Sequence, residues 1–336
     1  MNENPTVVFP EPKKVVLEDR PRPAPGKGEV LVRTHCTLIS TGTELTMLSG
    51  KYPTNSFWDN YTQFPVTPGY CNIGSVIEVG DTVDPKWMGR RVGSYGGHAR
   101  FAVVAVDQCR EVHRDIPDEE AVFFTLGEIV MNGVRRSKIT WGESAVVYGL
   151  GLLGQLTVQM CHLAGARPIV GVDVSPSRLD RIPTDPSVIR LDPTAENSRE
   201  LVERVTRNRM ADVVFEVTGN PKVIPEEFKV LREQGRLVIL SSPTGETTFD
   251  FHDLCCAPSY TIIGSHNFSH PKHATLDNPW TNLRDAELFF DLVADGALEV
   301  KKLISHRAKY TEACDLYRSL VADRSGAMGV ILDWRE

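Results

Sequence analysis

The sequence predicts an α/β protein with two domains, a small irregular β-barrel and a doubly wound parallel sheet. Two observations predict this fold class. Short β-rich runs separated by Pro- and Gly-rich turns fill the first 119 residues, whereas strands and helices alternate from there to about residue 270. The length of 336 residues is sufficient for two domains.

The first domain shows its strands as β-branched runs without helical spacing. The runs at residues 29–34, 73–79 and 101–106 are each bounded by turn residues, as strands of a small barrel are. Asp118 is a plausible helix cap, and the helical pattern that follows continues to Lys138.

The centre of the chain carries a strand, a glycine-rich turn, a helix and a second strand in succession. A buried strand is predicted at 145–148 and runs into Gly149-Leu150-Gly151-Leu152-Leu153-Gly154. A helix at 152–163 and a strand at 169–172 follow, and Asp173 ends that strand. This is the GxGxxG arrangement of a dinucleotide-binding unit.

Each part of this unit has a physical reason. Gly149 permits the tight turn, Gly151 lets the pyrophosphate approach the backbone, and Gly154 lets the helix pack closely on the strand. The helix N-terminus offers N–H groups and a partial positive charge to the phosphates. Asp173 can accept hydrogen bonds from the ribose hydroxyls and would repel a 2′-phosphate, so the sequence predicts NAD as the cofactor rather than NADP.

The alternation of strands and helices continues after Asp173. Six strands in all predict a complete doubly wound sheet, in a nucleotide-binding domain over 120–270. The tail, 271–336, is expected to return to the first domain, 1–119. The remaining predicted strands are 188–191, 211–217, 235–240, 260–264 and 329–332, and the remaining helices are 195–206, 225–232, 283–294 and 311–322.

Composition excludes several classes of partner. A net charge of −7 without a long basic run argues against nucleic acid or an anionic membrane. No signal-peptide core or membrane-length apolar run is found. The seven cysteines are odd in number and scattered, which fits free thiols in a cytoplasmic protein.

Four stretches together resemble the medium-chain dehydrogenase/reductase superfamily: residues 39–44 (Ile-Ser-Thr-Gly-Thr-Glu), 68–74 (Pro-Gly-Tyr-Cys-Asn-Ile-Gly), 131–136 (Met-Asn-Gly-Val-Arg-Arg) and the Gly149–Gly154 turn. The resemblance is strongest to a branch that includes the bacteriochlorophyll-pathway hydroxyethyl dehydrogenase and two-domain oxidoreductases. It implies a GroES-like first domain, a Rossmann second domain and an NAD-dependent oxidoreductase.

The positions that bind catalytic zinc elsewhere in the superfamily carry other residues here. By the resemblance, these positions are Thr41, Tyr70 and Thr125. Threonine and tyrosine are poor zinc ligands compared with Cys, His and carboxylates. We therefore expect no metal site.

The resemblance also implies which side chains carry out the chemistry. Thr43 matches the hydroxyl that passes on the substrate proton, and Glu44 matches an orienting acid that could hydrogen-bond Tyr70. Tyr70 would either act on the substrate through its phenol or simply fill the volume left by histidine and zinc.

His266 is expected to act as the general acid–base group, at the end of a proton relay through Thr43 or Tyr70. It follows the sixth strand, where the superfamily's backbone lies beside the nicotinamide, and its ordinary pKa suits the task. The alternative is a solvated histidine cluster with His270 and His273. His98 is a further candidate with less support from its position.

Further cofactor-binding residues follow from the same resemblance. Leu153 is expected to pack on the nicotinamide, and Arg178 to lie near the adenosine ribose unless it is only an exposed helix residue. The other expected cofactor contacts are Leu152, Thr218, Ser241 and Ser265.

Three functions are compatible with these residues. The first is interconversion of a secondary alcohol and a ketone, on a polyhydroxylated small molecule or a biosynthetic intermediate. The second is zinc-independent reduction of enones or quinones, and the third is NAD binding without catalysis. An apolar outer strand around 259–264 predicts a homodimer joined through the sheet edge.

Overall fold

The structure, a computed structural model, describes residues 3–335. It divides into two compact units, one formed by the chain up to Leu126 together with the chain from Leu283 onward, the other by Gly127–Asn282. These boundaries differ from the expected ones at 119 and 270. The first lies later because Phe124 packs in the first unit, with ring centroids 6.1 Å from Tyr95 and 6.0 Å from Phe290.

The strands of both units are numbered together along the chain. In chain order they are β1 (Glu3–Val8), β2 (Val16–Pro21), β3 (Glu29–Ile39), β4 (Asn72–Val79), β5 (Arg91–Ser94), β6 (Phe101–Ala105), β7 (Arg110–Glu111), β8 (Ala145–Tyr148), β9 (Ile169–Val172), β10 (Val188–Leu191), β11 (Ala211–Glu216), β12 (Leu231–Ile239), β13 (Thr261–Gly264), β14 (Ile304–Lys309) and β15 (Gly329–Asp333).

Helices connect these strands. They are α1 (Thr41–Ser49), α2 (Phe57–Tyr61), α3 (Asp118–Ala121), α4 (Phe124–Arg136), α5 (Leu152–Leu163), α6 (Pro176–Leu179), α7 (Ser198–Val205), α8 (Ile224–Phe228), α9 (Asn282–Ala294) and α10 (Ala313–Ala322). Among residues 3–335, every helix falls short of the length and apolar character needed to cross a membrane.

The first unit is built on a mostly antiparallel sheet with strand order β14-β15-β3-β4-β5-β7, in which β6 also pairs with β3. Strand β15 pairs antiparallel with β3, aligning Val330 with Ile39, so the end of the chain shares a sheet with its beginning. The apolar core beside this sheet includes Phe9 and Tyr317, whose ring centroids lie 5.2 Å apart.

The second unit contains a six-stranded sheet of order β10-β9-β8-β11-β12-β13 whose strand pairs are all parallel. The order runs outward on both sides of β8, which makes this the doubly wound Rossmann sheet predicted from the sequence. The neighbouring strands β8, β9 and β11 have apolar middle residues because both faces are covered: Val146, Val170 and Val214 are all almost fully buried.

The boundaries predicted for β8, α5, β9 and β10 are confirmed to the residue. The helix predicted at 225–232 is wrong in its second half, because α8 ends at Phe228 and β12 begins at Leu231. Leu231 pairs with Ala211, and the register then shifts where Gln234 has a φ of 59°. The second half of the predicted helix is therefore replaced by the start of β12, which contains the left-handed residue Gln234.

Helix α1 was not predicted. The signal for it is Glu44, whose Oε1 accepts a hydrogen bond from the N–H of Ser40, the N-cap residue, at 2.8 Å. Glu44 thus reaches back to the N-cap backbone from one position later than the glutamate of a capping box. At the other end, Gly50 has a φ of 62° and closes the helix in the left-handed conformation.

Candidate functional site

The glycine-rich turn joins β8 to the N-terminus of α5. Gly149 has a φ of +88°, and a Cβ at Gly154 would lie 1.9 Å from the carbonyl oxygen of Gly149, so both positions require glycine for internal reasons. A Cβ at Gly151, in contrast, would meet nothing within 4 Å. No side chain caps α5 at Gly151, so its first N–H groups can bind an anion.

Asp173, directly after β9, is held beside this turn. Its Oδ2 accepts a hydrogen bond from the N–H of Leu150 at 2.8 Å, and its Oδ1 accepts one from the N–H of Ser175 at 2.9 Å. Arg178 lies 3.5 Å from the same carboxylate and is half-buried, and its place near an adenosine ribose stays a prediction. The carboxylate and the guanidinium together form the charged group at this strand end.

A buried carboxylate that was not predicted, Glu216, organises the ends of β11 and β12. Its Oε1 accepts hydrogen bonds from Thr218 N (2.7 Å), Thr218 Oγ1 (2.6 Å) and Gly219 N (2.9 Å). Its Oε2 accepts a hydrogen bond from the Ser241 hydroxyl. Thr218 and Ser241, expected as cofactor contacts, are thereby tied to a common acceptor, and we call these four residues the Glu216 cluster.

A second buried carboxyl, Glu227, belongs to α8. Neither of its oxygens has a hydrogen-bond partner among the described residues. Burial first, and then the charge of Glu216, raise the pKa of Glu227 to about 9. At neutral pH Glu227 therefore carries a proton.

The segment after β13 is fixed by Asn132 of α4. The Asn132 amide donates hydrogen bonds to the His266 carbonyl at 3.0 Å and to the Ser269 hydroxyl at 2.7 Å. Ser265 is buried, and its hydroxyl has no partner among the described residues. An unpartnered buried hydroxyl is costly, which is a reason to expect a ligand beside it.

His266 has an exposed side chain. Its Nδ1 accepts a hydrogen bond from Phe268 N at 3.3 Å, so the neutral ring carries its proton on Nε2. Partial burial lowers the pKa of His266, which keeps the imidazole neutral at neutral pH. His270 differs from it because it is buried, with Nδ1 2.8 Å from the Asn267 carbonyl.

Three hydroxyl groups form a chain in the first unit. The Tyr70 hydroxyl donates to Ser40 Oγ at 2.7 Å and lies 3.3 Å from Thr43 Oγ1. Because a phenol has one proton, the contact with Thr43 uses the Thr43 proton. Burial, the largest cause, raises the pKa of Tyr70, so the phenol remains protonated and available as a hydrogen-bond donor.

Glu44 does not hydrogen-bond Tyr70, and that expectation is wrong. Its Oε1 accepts from Ser40 N, and its Oε2 accepts from His98 Nε2 at 3.0 Å and from the Tyr317 hydroxyl. Both Glu44 and His98 are completely buried. The reason for the difference is the longer reach of glutamate into the core, where His98 and Tyr317 offer donors that sequence spacing could not reveal.

The interior network continues from His98 to the last strand. His98 Nδ1 lies 2.8 Å from Thr37 Oγ1, which also accepts a hydrogen bond from Trp334 Nε1 at 3.0 Å. The Thr37 proton can then go to Nδ1, which leaves Nε2–H to donate to Glu44. Burial and Glu44 raise the pKa of Tyr317, so Tyr317 also stays a donor. Each of these polar groups thereby has a hydrogen-bond partner, as expected of a network with a structural role.

The residues at the zinc positions do not fit a zinc ion. The Thr125 hydroxyl donates to the Tyr70 carbonyl at 3.2 Å, and the Tyr70 phenol belongs to the hydroxyl chain. Within residues 3–335, no three His, Cys, Asp or Glu side chains come together as a metal would require. Whether the protein lacks zinc stays a prediction.

The residues at the dinucleotide positions do fit a nicotinamide cofactor. Open space faces Gly151, α5 is uncapped, Asp173 ends β9, and Ser265 has an unsatisfied hydroxyl. When bound, such a cofactor supplies or accepts a hydride.

Comparison with known families gives two adjacent matches. Residues 26–149 match the model of the alcohol dehydrogenase GroES-like domain, and residues 153–280 match the model of the zinc-binding dehydrogenase. Together the two matches cover well over half of the chain.

Two characterised relatives match along almost their whole length. The D-guloside 3-dehydrogenase of Shigella flexneri is 25% identical over 327 residues, which cover 90% of this chain and 92% of the relative. The L-threonine 3-dehydrogenase of Shewanella frigidimarina is 24% identical, covering 95% and 96% of the two chains.

Solved structures share the fold over nearly the entire chain. An alcohol dehydrogenase from Escherichia coli CFT073, complexed with NADH, superposes with a TM-score of 0.79 at 16% identity, covering 99% and 100% of the two chains. A zinc-binding dehydrogenase from Sinorhizobium meliloti, bound to NADP, gives 0.79 at 22% identity, with 99% and 100% covered.

Proposed function

We propose that this chain, which belongs to the medium-chain dehydrogenase/reductase superfamily and is an oxidoreductase, uses NAD(H) to interconvert a secondary alcohol and a ketone without catalytic zinc. The single observation that carries the proposal is the open glycine-rich turn with Asp173 beside it. Such an arrangement is typical of a dinucleotide site, and a carboxylate after the second strand disfavours the 2′-phosphate of NADP.

The preference for NAD over NADP follows from the charge of Asp173 and from the hydrogen bonds that hold it. Both of its oxygens already accept backbone hydrogen bonds, which hold the carboxylate in place for the ribose hydroxyls. Arg178 offsets part of the charge, because it lies 3.5 Å away. The proposal is therefore a preference set mainly by the carboxylate, with Arg178 as a contact at its edge.

Residues from the turn and the neighbouring strand ends complete the proposed cofactor site. Leu153, at the start of α5, would pack on the nicotinamide, and the buried Ser265 hydroxyl would donate to it. Leu152, Thr218 and Ser241 are proposed as further contacts. Leu152 and Leu153 are partly exposed and Thr218 is exposed, so all three are accessible to a ligand, which supports this assignment.

The proposed proton-transfer groups are Thr43, Tyr70 and His266. In the reducing direction a ketone oxygen needs a donor, and Thr43 and Tyr70 form a chain of hydroxyls whose phenol stays protonated. His266 is neutral at neutral pH, so in the oxidising direction it can take up the proton that the alcohol releases. Glu44 is proposed as a positioning residue, because it is buried and fixes Ser40, which in turn accepts from Tyr70.

A polyhydroxylated small molecule is the proposed substrate class. Support comes from relatives that include D-guloside 3-dehydrogenase and from the hydroxyl-rich neighbourhood of Tyr70, which suits a substrate with several hydroxyl groups. The seven cysteines are all free thiols, which is consistent with the reducing cytoplasm that we propose as the compartment.

The decisive experiment follows NADH or NADPH during incubation with panels of polyols, keto sugars and enones, using protein pretreated with a chelator. We expect polyols to be oxidised with NAD⁺ or keto sugars to be reduced with NADH, and no loss of activity on chelation. Turnover restricted to enones would favour the reductase alternative. Activity that depends on one tightly held zinc per chain would overturn the metal-free proposal, and preference for NADPH would overturn the role of Asp173.

A further inference from the structure

We propose that Glu216 is a positioning residue for the cofactor: its buried carboxylate fixes the strand-end loops of β11 and β12 in the shape that receives the dinucleotide. The inference rests on the proposed use of a nicotinamide cofactor, because the loops that Glu216 holds are those that would line it. Glu216 itself would not touch the cofactor, since it is completely buried.

The first argument is the composition of the Glu216 cluster. Two backbone N–H groups and two hydroxyl groups converge on one carboxylate, and all four are donors. Hydrogen bonds to an ionised acceptor are roughly twice as strong as neutral ones. A helix or a strand usually satisfies backbone N–H groups, but those of Thr218 and Gly219 depend here on a side chain.

The second argument is the place of the cluster at the sheet edge. Thr218 lies two residues after the end of β11 and Ser241 two residues after the end of β12, so one carboxylate joins the carboxyl ends of two neighbouring parallel strands. Ligands of open α/β sheets bind at these ends. The hydrogen bond to Ser241 therefore fixes the distance between two loops at a ligand-binding edge.

The third argument links the cluster to the glycine-rich turn. A Cβ at Gly149 would lie 2.9 Å from both Cα and N of Thr218, so the Thr218 backbone packs directly against the turn. Displacing Thr218 would remove the surface that holds the turn in its left-handed conformation. Glu216 thus acts on the phosphate-binding loop through Thr218.

The test compares Glu216→Leu and Glu216→Gln with the wild type and with Glu226→Leu and Glu226→Gln. Glu226 is an exposed residue of α8 paired with Lys229, and it serves as the matched control. Leucine removes every acceptor. Glutamine keeps one oxygen for the Thr218 and Gly219 donors, and the Ser241 hydroxyl can rotate to accept from its amide, so glutamine removes mainly the charge.

Two measurements are made on folded protein: NADH affinity by fluorescence titration, and amide hydrogen exchange of residues 217–220 without cofactor. We expect Glu216→Leu to raise the NADH Kd on the order of 10–100-fold, as outer partners of binding residues do elsewhere, with faster exchange at Thr218 and Gly219. Glu216→Gln should give a smaller change in the same direction, and the Glu226 variants none.

The outcomes separate this inference from the cofactor proposal. If the wild type binds NADPH instead of NADH, the NAD proposal fails, and the same comparison made with NADPH still tests Glu216. If Glu216→Leu does not fold, Glu216→Gln decides. A folded Glu216 variant with a Kd within twofold of the wild type and unchanged exchange would overturn the inference, as would a wild type that binds neither dinucleotide.

Discussion

At the scale of single residues, two buried carboxyl groups in this protein have opposite hydrogen-bonding environments. Glu216 receives four donors, whereas Glu227 receives none among the described residues. A buried carboxyl group without donors remains protonated, as Glu227 does. The difference is invisible in the sequence, where both are ordinary glutamates in an acidic protein.

Glu227 makes stability depend on pH. Its pKa is about 9 in the folded protein against an ordinary value of 4.5, so its contribution to stability is complete below pH 4.5 and is lost as pH rises toward 9. The loss is about 1.4 kcal/mol per pH unit within this window. We expect Glu227→Gln to be more stable than the wild type at pH 8, and the two to converge near pH 5.

Urea denaturation at both pH values measures this effect, with Glu226→Gln as the control that should change little. Equal free energies of unfolding for wild type and Glu227→Gln at pH 8 would show that Glu227 is not held in its protonated form.

The proton-transfer residues give a second prediction at this scale. We expect His266→Ala to keep NADH affinity and to lower turnover by about 10²–10⁴-fold, the usual contribution of general acid–base catalysis. Tyr70→Phe should also slow turnover, because only the hydroxyl is lost. Single-turnover hydride transfer across pH measures both, and a double variant shows whether the two act on the same step.

His270→Ala is the control for His266→Ala, because His270 is a buried neighbour whose ring is hydrogen-bonded to the Asn267 carbonyl. If His266→Ala and Tyr70→Phe both transfer hydride at the wild-type rate, proton transfer depends on other groups, and the assignment of these two residues is wrong.

At the scale of elements, the turn between β8 and α5 separates two uses of glycine. A Cβ at Gly154 would collide with the backbone of Gly149, while a Cβ at Gly151 has open space around it and Gly151 has an ordinary φ of −63°. Gly154 is thus needed for folding. Gly151 is needed only if something approaches from outside.

We therefore expect Gly151→Ala to leave the melting temperature nearly unchanged and to abolish tight NADH binding. Gly154→Ala should destabilise the fold by about 1–3 kcal/mol or more, because the helix must move away from the strand. Thermal melts and NADH titrations of both variants measure the contrast. Normal NADH affinity in Gly151→Ala would mean that the pyrophosphate does not approach this position.

Element by element, sequence patterns were most successful in the parallel sheet. Strands such as β8 and β9 are continuous apolar runs, and α5 lies between glycines, so local signals and the fold agree. The position of the glycine-rich turn before α5 and of Asp173 after β9 was predictable for the same reason. Helix α1 was missed because its start is capped by Glu44 rather than by a familiar N-cap side chain.

The interior network was out of reach of sequence reasoning. Glu44 meets Tyr317, 273 positions away, and Thr37 meets Trp334, 297 positions away. No local spacing encodes such pairs, because only the return of the last strands brings them together. Glu44, which depends on such a distant partner, was therefore misassigned.

At the scale of the whole molecule, the outer strand β13 predicts assembly. Thr261 and Gly264 are exposed, and Ile262 is 40% exposed, at the end of the strand order. An uncovered apolar edge pairs readily with another strand. We expect a homodimer by light scattering at micromolar concentration, and Ile262→Lys should shift it to the monomer.

The control for this prediction is Leu163→Lys, which alters a similarly exposed apolar residue at the end of α5. It should leave the dimer intact. A monomeric wild type would contradict the predicted dimer. A dimer that persists in Ile262→Lys would show that the contact lies elsewhere.

The position of β15 between β14 and β3 has a consequence for biosynthesis. A ribosome releases the six strands of the second unit by residue 264, but β15, which pairs with the Cys36–Ile39 end of β3, emerges only with residues 329–333. Until then a nascent chain exposes this end of β3 along one edge, where it can pair with other chains. The unit that is translated first is thus the last to close, and a messenger truncated shortly before codon 329 would yield a protein prone to aggregate.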